Sequence, residues 1–207
     1  MKRLGLVFLA AFLALGLASH VQAQTEPTEK AGDSGADSKA TAMRGQDEIL
    51  GRARYSQARV ARYARSRGST QYIMRTIPIY YDLAPRRNIA PDVLIAQAMV
   101  ETGYGRYGGD SRPWNMAGIK KGGNVGDAPR DFERPPTAYA GVRMYVNHMA
   151  AYTGKKPIGK PHARYYDARA AQQNRGYWLR RISQLGGGVW ATDTTYDTKI
   201  RRILNSM

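Results

Sequence analysis

Glu101 is the residue of this chain best placed to do chemistry. It ends an almost unbroken apolar stretch, Val93 to Val100 (VLIAQAMV), and is followed by Thr102-Gly103-Tyr104-Gly105. The stretch reads as a buried helix that Gly103 stops, so the carboxyl lies in the last turn. There it meets apolar walls and the negative end of the helix dipole, and both disfavour its charged form and raise its pKa. A carboxyl kept protonated near neutrality is what a general acid for glycoside hydrolysis requires. The glycines beyond it let backbone and an aromatic ring approach a ligand closely. Position alone does not carry the role, because a glutamate at a helix end is far more often a solvated surface residue.

Other chemistries find little footing. The chain has no cysteine, which excludes a thiol nucleophile, a thiolate zinc site and a disulfide framework. Its three histidines are His20, His148 and His162, with no His-Glu-x-x-His spacing, so neither a metal nor a cofactor is expected. No phosphate-loop spacing and no Gly-x-Ser-x-Gly elbow occurs.

The elements around Glu101 follow from periodicity and caps. Ser69 and Thr70 precede a helical pattern over 71–87, kinked or restarted at Pro78, with Tyr72, Ile73, Ile77, Tyr80 and Leu83 on one side. After a turn at 88–90, Pro91 and Asp92 suit the first turn of the Glu101 helix. A glycine-rich stretch follows over 103–127, and a short strand pair is expected around Ile119 and Phe132. Further helices are expected over 138–152, 165–171 and 177–185, and a last one ends near Leu204 after a cap at Asp193 or Thr194.

Four spaced segments then carry a family resemblance over roughly 70–205. Ala96-Gln97-Ala98 is followed by Glu101-Thr102-Gly103-Tyr104-Gly105. Next come Asn115 to Lys120 (NMAGIK), then Phe132 with the helix through Val142 and Tyr145, then Trp190 to Lys199 (WATDTTYDTK). In this order they resemble the bacterial glucosaminidase family of peptidoglycan hydrolases, glycoside hydrolase family 73. The resemblance implies a mainly α (α+β), lysozyme-like helical domain with a small β-lobe beside a cleft. It implies cleavage of the β-1,4 bond after N-acetylglucosamine in glycan strands, with Glu101 as general acid and Tyr196 lining the cleft. Asp193 matches the family's aspartate, and a plain helix cap explains it as well. Asn115 enters as a substrate-binding candidate. Tyr104, Tyr107 and Trp114 are either sugar-stacking or core residues. A lytic transglycosylase or muramidase on the same fold, and a non-catalytic cationic wall binder, are the alternatives.

In one place the chain departs from the family pattern. Many members carry a second Glu in the β-lobe, after the Gly-Ile-Lys strand. Here the corresponding stretch, 121–130 (KGGNVGDAPR), is short and has none. Asp127 and Asp131, and behind them Glu133, are the candidate second catalytic carboxylates; each is also explicable as a solvated loop charge. An inverting mechanism needs a second carboxylate about 6.5–9.5 Å from the acid. Otherwise the substrate's N-acetyl group supplies the nucleophile.

The rest of the chain bears on location. Residues 1–23 read as an export signal: Lys2 and Arg3, an apolar run over 4–18, and a small residue at Ala23. A retained helix is the alternative, but the run is short of the about 20 residues a bilayer span needs. Residues 24–48 have linker composition. A basic helical lead-in, 49–68, precedes the catalytic domain, 69–207. The leader contributes two positive charges and the linker three net negative ones, so 49–207 holds +17 within a chain total of +16. An exported protein so charged, periplasmic or extracellular, is expected to meet anionic envelope polymers or lipid surface and no nucleic acid. The lead-in itself reads either as a solvated helix or as that docking surface.

Overall fold

A computed structural model describes residues 47–107, 113–123 and 126–207; the expected leader and all but the last two linker residues lie outside them. The helices are α1 (Gln57–Ser66), α2 (Gln71–Leu83), α3 (Pro91–Thr102), α4 (Ala138–Tyr152), α5 (Arg164–Arg175) and α6 (Tyr196–Asn205). The fold is mainly α, as expected of a lysozyme-like domain.

α3 is the axis of the core. Pro91 is its first residue, where a missing N–H costs nothing. Its side chains from Val93 to Met99 are all buried, with Val93, Leu94, Ile95 and Met99 each contributing about 1.5–3 kcal/mol. It packs on α2 and α6; α2 also packs on α1 and α4, and α4 on α5. Gly103 ends α3 at φ +55, a conformation glycine adopts without strain. Two further glycines make room around the site. A Cβ on Gly105, at φ +83, would fall 2.4 Å from the Thr70 hydroxyl, and one on Gly141 would fall 2.0 Å from the Trp114 carbonyl oxygen.

The helical pattern over 71–87 divides at Leu83. α2 keeps Pro78 inside it and then tightens into a 3-10 turn, Ala84–Arg87, closed by Asn88 at φ +55. Helix α5 runs past the expected end to Arg175, where Gly176 stops it. The helix expected over 177–185 does not form. Tyr177 to Arg180 run extended, with Leu179 N–H bonded to the Tyr152 carbonyl (2.9 Å) and the Arg180 carbonyl accepting from Ile49 N–H (2.7 Å). Only a 3-10 turn, Ile182–Gln184, follows. Tertiary pairing overrides propensity here, because the segment partners residues 48 and 49 and Trp178 lies against Gly154.

The lead-in is helical only from Gln57. Before that, Asp92 at the start of α3 accepts the Arg54 N–H (2.6 Å) and Tyr55 N–H (3.3 Å), while Ile49 is fully buried. Burial pushes the Asp92 carboxyl up, and the nearby Arg54 guanidinium only partly opposes that. Asp47 also reaches into the fold, to Ser183 (2.8 Å) and Arg201 (3.0 Å).

Among the described residues, the β-lobe is reduced to one antiparallel bridge, Lys120 with Phe132. Two backbone bonds flank it, Lys121 N–H to Asp131 O (2.8 Å) and Glu133 N–H to Ile119 O (2.9 Å). A pair this short is not stable alone, and Asn115 supplies the missing order. Its buried amide accepts from Ile119 N–H (2.8 Å) and donates to the carbonyls of Ile119 (2.9 Å) and Glu133 (3.0 Å).

Candidate active site

The last turn of α3 delivers Glu101, and the start of α6 delivers the group that meets it. Tyr196 is the first residue of α6 and is buried. Its hydroxyl donates to Glu101 Oε1. Gln97, one turn before Glu101 and fully buried, donates from Nε2 to the Tyr196 oxygen at 3.0 Å. Because Gln97 already supplies a donor to that oxygen, the phenolic proton is directed to Glu101. Trp190 adds a second donor to the same atom, its indole N–H lying 3.2 Å from Glu101 Oε1.

Two donors on one carboxyl oxygen decide where an acidic proton resides. Oε1 acts as the acceptor, so in the neutral acid the proton belongs to Oε2. Burial raises the Glu101 pKa above its usual value; the Tyr196 and Trp190 hydrogen bonds favour the ionised form and offset part of the rise. The expected direction therefore stands, with desolvation as its main cause. Burial, together with the Glu101 charge, holds the Tyr196 phenol well above its ordinary range, so it keeps its proton as a donor.

Trp190 is itself held by an aromatic cluster. Its ring lies 5.8 Å from that of Tyr145, 5.1 Å from His148 and 5.0 Å from Tyr152. His148 and His162 share a nitrogen–nitrogen contact of 3.3 Å. Burial depresses both, His162 to about 4 and His148 further, so the pair is neutral at ordinary pH.

The other expected site residues divide. Tyr104, Tyr107 and Trp114 all have left-handed backbone, φ +61, +51 and +66. Bulky residues rarely adopt it, and such strain gathers at functional sites. Trp114 packs edge-on against Tyr72 at 4.9 Å. The Tyr107 hydroxyl accepts from Trp114 N–H (3.1 Å) and lies 2.8 Å from Met116 Sδ. The Tyr104 hydroxyl is 3.4 Å from that of Tyr63. All three are half-buried, each with one face packed. Asn115 is sealed inside the lobe, where its amide positions backbone. Asp193 takes the Thr195 N–H and hydroxyl (both 2.8 Å) and the Lys199 ammonium (2.5 Å), and the Lys199 bond leads in holding it down to about 2. It thus organises the start of α6, whose N-cap is Thr195 rather than Asp193 or Thr194.

The three second-carboxylate candidates have distinct settings. Asp127 is exposed and pairs with Lys120 at 2.6 Å. Lys120 in turn lines a cavity whose wall includes Trp190, while Asp127 itself is not part of that lining. Asp131 caps its own turn, accepting the Ala128 N–H at 3.0 Å. Glu133 lines a different cavity, with Arg134, Arg143 and His162.

Sequence reasoning passed over Gln97 and Trp190 as site residues. Both stand inside the quoted motifs, in Ala96-Gln97-Ala98 and at the head of WATDTTYDTK. A polar side chain in an otherwise apolar helix, one turn from the acid, was the available signal for Gln97.

The family model described as mannosyl-glycoprotein endo-beta-N-acetylglucosaminidase matches residues 77–207, which include Gln97, Glu101, Trp190 and Tyr196. No curated protein and no solved structure matches the chain.

Proposed function

From the premise that the chain belongs to the glucosaminidase family and is a glycoside hydrolase, we propose that it cuts peptidoglycan strands at the β-1,4 bond after N-acetylglucosamine. Glu101 is the general acid. The observation that carries this role is the shared acceptor oxygen: Tyr196 and Trp190 both donate to Oε1, which leaves Oε2 to hand a proton to the glycosidic oxygen. The raised pKa keeps that proton available to higher pH than an ordinary glutamate would. Developing charge on the departing carboxylate meets the same two donors, so the product form of the acid is stabilised without reorganisation.

Asp127 is the second carboxylate in this reading. It is solvent-facing and held by Lys120 through one carboxylate oxygen, which leaves the other oxygen to orient a water on the opposite side of the sugar. The protein works outside the membrane, after removal of residues 1–23. Its +17 excess over 49–207 concentrates it at an anionic envelope by attraction that salt weakens.

Product analysis tests the reaction. Mass spectrometry of digested cell walls is expected to give reducing N-acetylglucosamine ends. Anhydro-muramoyl ends would identify a lytic transglycosylase instead, and reducing muramic ends a muramidase. Asp127→Asn is expected to lower turnover by at least about tenfold, since a positioned base contributes about 10²–10⁴-fold. Unchanged turnover in that variant would transfer the second role to the substrate's N-acetyl group.

A further inference from the structure

A cavity of about 250 Å³ is lined by Trp190, whose indole N–H bonds Glu101, together with Tyr152, His148, Lys120 and Arg164; Glu101 itself is not part of the lining. The volume is below the about 300–1,000 Å³ that holds a whole small ligand, and suits one unit of a polymer. The wall is of two kinds. Trp190, Tyr152 and His148 form one aromatic surface, with rings 5.0 to 5.3 Å apart. Lys120 from the β-lobe and Arg164 from the start of α5 bring two cations, and no carboxylate is part of the lining.

Both cations have acidic neighbours outside the cavity. Lys120 meets Asp127 at 2.6 Å, with the Asp127 side chain 84% exposed, and Arg164 lies 3.7 Å from Asp167, 43% exposed. Exposed pairs of this kind are worth about 0–1 kcal/mol, so a ligand carboxylate can compete for the cations at small cost. Arg164 is also fixed in place, because Nη1 donates to the Gly123 carbonyl at 3.0 Å while Asp167 accepts the Gly123 N–H at 2.8 Å. This clasp holds the lobe to α5 and keeps the guanidinium at the cavity wall.

We infer that this cavity is a subsite for a carboxylate-bearing sugar unit, the ring lying against Trp190 and Tyr152 and the carboxylate bound by Arg164 and Lys120. The inference rests on the peptidoglycan reading above and adds a selection rule to it: the enzyme distinguishes a muramoyl unit from an uncharged N-acetylglucosamine unit. In peptidoglycan the carboxylate comes either from the lactyl group itself or from the peptide stem attached to it. The planar guanidinium of Arg164 suits carboxylate binding by two parallel bonds.

The test is a titration of the Glu101→Gln protein, which keeps ligands intact. Three tetrasaccharides are compared: uncharged N-acetylglucosamine tetramer, alternating strands with free lactyl carboxylates, and the same strands carrying peptide stems. Binding is read by calorimetry and by tryptophan fluorescence. The anionic strands are expected to bind at least about tenfold tighter than the neutral tetramer. Adding Arg164→Gln is expected to cut that preference at least fivefold, and adding Arg164→Lys to retain only the part that a point charge supplies without the two parallel bonds. Which anionic strand binds tighter identifies the source of the carboxylate. Equal affinity for charged and neutral strands, or a preference that survives Arg164→Gln, would overturn the subsite and leave the hydrolase reading standing. If the wild type neither cuts nor binds any of the three, both readings fall.

Discussion

The Tyr196 hydroxyl donates to the Glu101 carboxylate across 95 residues of sequence, joining the first residue of α6 to the last turn of α3. Both residues lie within the matched family segment, 77–207. Removing the hydroxyl takes away a bond that favours ionised Glu101. Tyr196→Phe therefore raises the acid's pKa further. A general acid works in its protonated form, so the alkaline limb of the pH–rate profile moves to higher pH. Turnover falls about tenfold or more, as expected for loss of a hydrogen bond to a charged group worth about 1.5–3 kcal/mol. A profile of kcat/KM against pH checks both.

Gln97 acts through Tyr196. Gln97→Leu removes the Nε2 donor that fixes the phenol's proton toward Glu101. The expected outcome is a several-fold loss of kcat with little change in KM, and a destabilisation of about 1–3 kcal/mol from the phenol oxygen left without its donor. Steady-state kinetics beside thermal unfolding separate the two effects.

Asn115 is the keystone of the lobe. Asn115→Ala forfeits three hydrogen bonds, strands the Ile119 and Glu133 backbone groups, and costs about 2–4 kcal/mol. Hydrogen exchange localises the damage: amides at Ile119, Lys121 and Glu133 lose protection, while those of α3 keep theirs.

The histidine pair ties stability to acid. His162 titrates at about 4 in the fold against an ordinary 6.5, so between these values the unfolded chain binds more protons than the native one. Stability then falls as pH drops from about 6.5 to about 4, by about 1–3 kcal/mol for this group. His148, depressed in the same direction, adds to the fall. Denaturant titrations at stepped pH are expected to show a shallower decline for His162→Gln.

The sequence made the helical framework and the setting of Glu101 readable because both rest on local signals. The apolar run from Val93 to Val100, Pro91 before it and Gly103 after it specify α3 with few alternatives. The 177–185 segment misled for the opposite reason. Its composition suits a helix, but Leu179 and Arg180 are claimed by the backbones of Tyr152 and Ile49, partners that local pattern does not reveal. Asn115 stood in a recognisable motif, yet its sealed position became evident only with the lobe around it. Trp190 was visible as a motif residue, but its bond to Glu101 spans 89 positions and is a product of the fold.

The central claim is that Glu101 supplies the proton that breaks the glycan. Glu101→Gln tests it directly, since the amide oxygen can still accept from Tyr196 and Trp190 while the group can no longer act as a general acid. Release of new reducing ends from purified cell walls is the quantity to measure, beside thermal unfolding of the same protein. The account predicts release reduced by about 10²–10⁴-fold, in a variant that melts no lower than wild type because a buried carboxyl has been replaced by a neutral isostere. Release at the wild-type rate by the folded variant would contradict it.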